Sequence, residues 1–407
     1  MQLRYRFRLY PDGPQRAALA QAFGCARVVF NDALRAREDA RAAGLPYVTQ
    51  GQLSKALTAS KKTPERAWLN EVSAVVLQQS LRDLDAAYRY FFDGLEGKRA
   101  RVGMPRMKSR KKSHQSVRFT KGAFKVTDGG RLRLARIGEV RVRWSRALPS
   151  PPSSVAVIKD SAGRYFCSFA VNSGPDEALP TVSSEVGIDL GLTHFAVLSN
   201  GEKIASPRFL RRAEKKLKRA QRSLARKKPG SSNREKARHK VARVNAQVAD
   251  ARRDFHHQLS TRIIRENQAV AVETLPVEKL VRTRLGKSVR DAGWSAFVDM
   301  LEYKAARYGR TLTKIGRYEQ TSQTCSACHV NSGPKALDIR KWTCPACGTP
   351  LDRDVNAAIN IATAAGLAVT ACGARVRPGS VPAPRHEAGT HPKPRRQAAR
   401  QAGVARR

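Results

Sequence analysis

Two Cys-x-x-Cys pairs, Cys325/Cys328 and Cys344/Cys347, stand fifteen residues apart near the end of a 407-residue chain. No other feature constrains the local fold as tightly. Four thiolates at this spacing suit the tetrahedral geometry of a structural zinc ion, and free surface thiols rarely show it. With every position filled by protein, such a zinc is not catalytic. His329, next to Cys328, reads as a neighbour rather than a ligand, and Cys25, Cys167 and Cys372 remain ordinary thiols.

Three carboxylates stand out by context. Asp189 lies inside the apolar run V-G-I-D-L-G, where an unpaired carboxylate is costly, with Gly187 and Gly191 leaving room for a backbone or ligand to approach. Glu273 ends a second apolar run, A-V-A-V-E-T-L, and Asp354 follows the last zinc-type cysteine in L-D-R-D-V-N-A-A-I-N-I. Singly, each is more simply a strand-end or capping carboxylate. Together they fit phosphodiester hydrolysis by two metal ions, with Mg²⁺ or Mn²⁺ favoured by hard oxygen ligands. Asp352 competes with Asp354: two residues apart on a helix they cannot both face the same ions, so one is expected to be an N-cap.

The charge names the partner class. Lys and Arg number 77 against 33 Asp and Glu, a formal net charge of +44 that needs counterions or a polyanion. Between Arg208 and Arg253 alone, eighteen basic residues face three acidic ones, more than a solvated helix face requires. A basic protein that merely coats RNA would explain the charge but not the carboxylates set in apolar runs. Aromatics at 6% argue against a membrane-surface helix, no segment has the length of a membrane span, and a cytoplasmic, nucleoid-associated location is expected.

Along the chain, Leu3 to Leu9 alternates as a strand, and Gln15 to about Gly97 turns helical, with Leu77, Leu81, Leu84, Tyr88, Phe91 and Leu95 on one face. Lys98 to Lys112 is a basic linker. Short alternating runs between Ser116 and Val171 suggest a small antiparallel barrel or sandwich, which the first strand would complete. After a Pro/Ser linker, strands flank Asp189 and end at Glu273, and Ser199-Asn200-Gly201 supplies a hairpin turn. Phe209 to Lys227 and Glu235 to Glu266 read as a helical hairpin hinged at Pro229-Gly230, with Ser232 and Glu235 as a capping box. Further helices are expected around Trp294 to Ala305 and over Val355 to Ala365, and the Pro/Ala/Arg tail reads as disordered.

These motifs resemble the TnpB family of transposon-encoded nucleases, relatives of compact type V CRISPR effectors. The likeness covers about residues 1 to 370 and rests on L-Y-P-x3-Q, G-x-x-R-x3-N, V-L-Q-Q-S-L, G-I-D-L-G, V-E-T-L, T-S-Q-T-C-S-x-C and C-x-x-C-G followed by D-R-D-x-N-A-A-x-N-I. It implies a multidomain α+β and α/β protein. Residues 1–10 and 113–180 would form a β-barrel wedge domain into which a helical recognition domain with its basic linker, 11–112, is inserted. An RNase H-like RuvC domain, 181–320 and 350–372, would carry an inserted helical hairpin and a zinc knuckle at 321–349, followed by a disordered basic tail at 373–407.

The resemblance further implies Asp189, Glu273 and Asp354 as Mg²⁺ ligands, zinc on Cys325, Cys328, Cys344 and Cys347, and a guide RNA transcribed from the transposon end. Target DNA would pair with that RNA beside a short motif read by Tyr47, Gln78, Arg82 and Thr120, the protein acting as a monomer on RNA. Lys215, Lys218 and Arg222 of the basic helix are candidate backbone contacts. Two departures bear on packing rather than chemistry: Met107 replaces a usual aromatic in P-R-M-K, and His329 replaces a common Gly. The expected function is RNA-guided DNA cleavage; the alternatives are an RNA-guided repressor or a transposition accessory protein that binds without cutting.

Overall fold

A computed structural model describes residues 2–111, 113–172, 178–317, 319–336 and 338–367, with the backbone of 370–371 and 374–375. The chain divides into two compact units, Met1–Asp176 with Ala220–Arg243 and Glu177–Arg219 with Val244–Arg407. No helix among the described residues is long and apolar enough to cross a membrane.

The first unit starts with β1 (Gln2–Tyr10), whose exit Asp12 and Gln15 turn into α1 (Gly13–Ala42) through a reciprocal capping box. After α2 (Gln50–Ser60) and a 3₁₀ turn, α3 (Ala74–Leu95) presents Leu77, Leu81, Leu84 and Tyr88 to the core, as their three- and four-residue steps require. Six more strands follow: β2 (Gln115–Thr120), β3 (Phe124–Val126), β4 (Arg131–Leu134), β5 (Gly138–Arg143), β6 (Ser154–Lys159) and β7 (Tyr165–Asn172). They join β1 in one antiparallel sheet ordered β2-β6-β7-β1-β5-β4-β3. The first strand therefore lies inside the sheet, and the helices interrupt it in sequence. β3 was not separable by pattern, because three residues are too few to show a period. Asn31 explains part of its motif: its amide exchanges two hydrogen bonds with the backbone of Lys108, at 2.8 and 2.9 Å, tying the basic linker to α1.

The second unit is built on a five-stranded sheet ordered β10-β9-β8-β11-β12. Its strands are β8 (Glu185–Leu190), β9 (His194–Leu198), β10 (Lys203–Ala205), β11 (Ala269–Glu273) and β12 (Thr311–Ile315). The Asn-Gly turn joins β9 to β10, while Gly191 to Thr193 joins β8 to β9. Between β10 and β11 run α4 (Phe209–Ala225) and α5 (Ser232–Glu266), whose hinge-side residues Ala220–Arg243 group with the first unit. The cap of α5 is Ser231, whose Oγ accepts the Arg234 amide at 3.2 Å, so the expected box is shifted by one residue and Glu235 pairs with Arg238. Short α6 (Val277–Leu280) and α7 (Gly286–Ala292) precede α8 (Trp294–Tyr308). The two-stranded β13 (Lys341–Thr343) and β14 (Pro350–Asp352) lead into α9 (Arg353–Ala364). The described backbone ends in a two-residue pairing of β15 (Thr370–Ala371) with β16 (Ala374–Arg375); Cys372 and most of the tail expected to be disordered lie outside the described residues.

Strand alternation sorts the two faces of this sheet. Ile188, Leu190, Val270 and Val272 bury against Leu259 and Ile263 of α5 and Phe297 and Leu301 of α8. Gly187, Asp189, Ala271 and Glu273 alternate onto the other face, where Ala271 packs on Ile361 of α9. The helix comes so close that a Cβ at position 187 would fall on the Ala358 carbonyl oxygen and 2.7 Å from the Ala362 amide nitrogen. Gly187→Ala is therefore expected to destabilise this unit by about 1–3 kcal/mol or more, since backbone must move. Gly13→Ala, with nothing within 4 Å of the new carbon, serves as the control. Equal urea midpoints for the two variants would contradict the close approach.

Candidate active site

Asp189 and Glu273 owe their meeting to strand register. β8 and β11 run parallel with Ile188 opposite Val272, so one further step sets the two carboxylates side by side at the same strand ends. Asp354 comes from the first turn of α9 on that same face, and its side chain is 15% exposed. Asp352 is the N-cap, accepting the amides of Asp354 and Val355 at 3.1 and 3.2 Å and pairing with Lys203.

The electrostatics put the three carboxylates within range of one another's charge. The Asp189 carboxyl is pushed up to about 8, first by burial, then by the negative charges of Glu273 and Asp354, with Arg353 and Arg340 opposing. Burial also raises Glu273. Asp354 is held by Arg340, whose Nη1 lies 3.1 and 3.4 Å from the two carboxylate oxygens, and His194 Nδ1 stands 3.8 Å away. Arg340 Nη2 also donates to Thr193 Oγ1 at 3.2 Å. The three carboxylates do not cluster as tightly as the cysteines, whose sulfurs all lie within 4.8 Å of one another. Two ions roughly 3.5–4 Å apart, each roughly 2.1 Å from its oxygens, do not require such crowding of their outer ligands.

The cysteine cluster matches its expected ion. Cys325 and Cys347 sulfurs are 3.7 Å apart and Cys328 and Cys344 sulfurs 3.6 Å, against about 3.8 Å for tetrahedral bonds of about 2.3 Å. His329 is not among the ligands; it takes a left-handed φ of 60°, which accounts for a glycine preference at that position. Asn356 and Asn360, one turn apart on α9, both donate to the carbonyls of Thr321 and Thr324 at 2.7 to 3.3 Å, and Asn356 Oδ1 accepts the Ser326 amide at 2.8 Å. The helix that carries Asp354 is thus bolted to the loop that starts the knuckle.

Those two asparagines were visible in the sequence only as part of a motif, although their spacing of four already put them on one helix face. Arg340, Thr193 and His194 gave no signal, since they lie in loops or at a strand edge with no period to mark them. The proposed nucleic-acid contacts are placed as follows. Tyr47 packs edge-on to Tyr88 with the Arg37 guanidinium 4.4 Å from its ring; Gln78 exchanges hydrogen bonds with Ser54; Arg82 is exposed on α3; and Thr120 ends β2. Among the described residues no hydrogen bond or ring contact joins these four. Lys215, Lys218 and Arg222 are exposed on α4, Lys218 pairing with Glu214 at 3.1 Å.

Comparison with known proteins finds relatives of this chain. The family described as "Probable transposase" (OrfB_IS605) matches residues 168–284, "Cas12f1-like, TNB domain" matches 294–361, and "Helix-turn-helix domain" matches 1–45, a stretch that here forms β1 and α1. A Streptomyces pristinaespiralis protein named "Putative RNA-guided DNA endonuclease" is 46% identical over 92% of this chain and 92% of its own. The Escherichia coli K12 protein "Putative RNA-guided DNA endonuclease InsQ" is 31% identical over 92% of this chain and 95% of its own. A solved structure, that of "the mini-RNA-guided endonuclease CRISPR-Cas_phi3", aligns over 90% of this chain and 92% of its own at 10% identity with a TM-score of 0.46, a likeness too loose to argue from.

Two outcomes follow from the site. Asn356→Ala strips the Ser326 amide of its acceptor, at a cost of about 1–3 kcal/mol, and is expected to release zinc at lower chelator concentration; unchanged zinc retention would show that knuckle and helix are independent. The second concerns pH. An Asp189 carboxyl that titrates at about 8 when folded and at the usual 3.8 when unfolded makes the folded state bind the extra proton between those values. Stability in magnesium-free buffer therefore falls as pH rises from 4 to 8. Asp189→Asn removes that slope, so the variant's melting temperature should overtake wild type above pH 8, by ~2–4 °C per kcal/mol relieved, and not at pH 4. A pH-independent difference would refute the crowding.

Proposed function

The chain belongs to the TnpB family, and from that membership we propose that it is an RNA-guided DNA endonuclease of a mobile element. The observation that carries the reading is the gathering of Asp189, Glu273 and Asp354 on one face of the second sheet, where burial first and the two neighbouring carboxylates second push the Asp189 carboxyl up to about 8. Two adjacent parallel strands ending in carboxylates, with a helix delivering the third, support an RuvC-like nuclease domain over 181–320 and 350–372. The knuckle at 321–349 is proposed as its zinc-bound insert. Residues 1–10 and 113–180 are proposed as the wedge and 11–112 as the recognition domain.

The donor set fits Mg²⁺ or Mn²⁺: three carboxylates, no thiolate, and an excess of negative charge that a divalent ion would neutralise. When bound, two such ions activate a water and stabilise the leaving oxygen. The chain's own part is to hold those oxygens in place. Asp189 and Glu273 are fixed by the β8–β11 ladder, and Asp354 by the Asp352 cap and the asparagine bolt. Arg340 balances part of the charge and stands ready to face a phosphate once Asp354 takes another partner. The basic face of α4, with Lys215, Lys218 and Arg222, would hold backbone phosphates without reading sequence, which leaves target choice to base pairing by a bound guide RNA. Tyr47, Gln78, Arg82 and Thr120 are proposed readers of the adjacent motif, the RNA is proposed to come from the transposon end, and one protein copy is proposed per RNA.

A binding-only repressor or accessory protein is the rival reading, and the intact set of three carboxylates favours the nuclease over it. The protein purified with its RNA and supplied with Mg²⁺ and matched DNA should cut, while Asp189→Ala should fall below detection. Cleavage by both rejects the role of Asp189; cleavage by neither rejects the enzyme.

A further inference from the structure

We propose that the second unit carries a nucleotide subsite behind the turn that follows Asp189, holding one nucleotide of the single strand under cleavage; the identity of that strand rests on the nuclease reading above. A cavity of about 210 Å³ opens there, lined by Phe195, Phe209 and Phe255 on its apolar side and by Arg208, Arg211 and Arg252 on its polar side. The rings form a connected group, Phe195 meeting Phe255 edge-on at 5.0 Å and Phe209 meeting Phe255 at 6.1 Å between centroids. Arg252 donates to the Arg290 carbonyl at 2.9 Å, whereas the guanidinium groups of Arg208 and Arg211 have no hydrogen bond or ion pair among the described residues. The one carboxylate in the lining, Asp291, is engaged by the Leu210 amide at 2.9 and 3.0 Å. Buried His256, also in the lining, is kept neutral near 4 by burial and adds no charge.

Three guanidinium groups against one carboxylate select an anion, and the adjoining rings select a flat apolar body. A nucleotide carries both. An apolar ligand would leave the positive charge of the lining unanswered, and a bare anion would leave the part-exposed rings of Phe209 and Phe255 unused. Arg208 itself holds a left-handed φ of 49°, a conformation that non-glycine residues keep where the surroundings impose it, often at ligand clamps. The position ties the cavity to the chemistry. Thr193 lines it, and the Thr193 hydroxyl accepts from the same Arg340 that holds Asp354. A strand lying over the three carboxylates thus has its neighbouring nucleotide within reach of the turn.

The test uses Asp189→Ala protein with its RNA, so that nothing is cut, and a short single-stranded DNA bearing 5-iodo-deoxyuridine at successive positions. Photocrosslinking should label the peptide containing Phe209 or Phe255 from one position of the strand. Arg208→Glu with Arg211→Glu should lower that yield about tenfold, and so should Ser288→Trp, which fills the cavity from another side. Both variants should keep zinc content and melting temperature. Thymidine monophosphate should compete and inorganic phosphate should not. Labelling elsewhere only, labelling undiminished by both variants, or competition by phosphate equal to that by the nucleotide overturns the proposal. Pocket labelling with a wild-type protein that cuts nothing would reject the nuclease and keep the site; cleavage without pocket labelling would do the reverse.

Discussion

Like charges in a partly desolvated pocket repel, and the second unit is arranged around keeping three carboxylates together despite that. Asp189 shows the strain most directly, since its carboxyl keeps its proton to about 8. A site of this kind is not stable by itself; it is imposed by parts of the fold that are stable for other reasons. Strand pairing supplies the first part. The β8–β11 ladder is buried on its other face by Phe297, Leu301 and Ile263, so its register cannot slip by one residue without turning that apolar set outward. With the register fixed, Asp189 and Glu273 have no freedom to separate.

The third carboxylate needs a longer chain of causes. Absence of a side chain at Gly187 lets α9 lie against the sheet backbone, and the small residues Ala358 and Ala362 make the matching surface on the helix. Asp352, the last residue of β14, caps the start of the helix, and Asn356 and Asn360 join it to the loop that begins the knuckle. Folding of the knuckle depends on its four cysteines, so the ion expected there supports Asp354 from a distance without touching the reaction. Sequence adjacency of the knuckle and the helix is thereby given a mechanical reason: the asparagine bonds close a loop that starts at Thr321 and returns at Asn360.

What could be read from the sequence was whatever repeats or is spaced. Asp189 and Glu273 drew notice because each interrupts or ends an apolar run, Asp354 only through the motif that the family shares, and the cysteines because metal geometry dictates their separation. The helices of the first unit and the paired strands around Leu3 to Leu9 followed from periods of 3.6 and 2. β3 was lost because three residues carry no period, and the cap of α5 was misplaced by one residue because two serines, Ser231 and Ser232, stand together and only backbone geometry selects between them. Arg340 was illegible for a different reason. Its partner Asp354 is fourteen residues away across a hairpin and a zinc-type loop, and nothing in D-I-R-K-W distinguishes that arginine from the many others of a +44 chain.

That excess of positive charge and the negative pocket are one design seen from two sides. A surface this basic gathers nucleic acid without regard to sequence, and its long reach falls off within about a Debye length. The carboxylates would repel a phosphate backbone so gathered, so the pocket must be neutralised before a strand can enter it. Arg340 does part of this from within the protein, bridging Asp354 and Thr193. Arg353 and Arg340 together do not offset burial and the neighbouring carboxylates, and the Asp189 carboxyl keeps its proton up to about 8. On the proposed nuclease reading, divalent cations would supply further compensation and would also be the agents of phosphodiester hydrolysis. On that reading, the charge that attracts the substrate and the charge that admits it therefore come from different places: the basic helices hold a strand at low salt, while entry to the carboxylates waits on the ions.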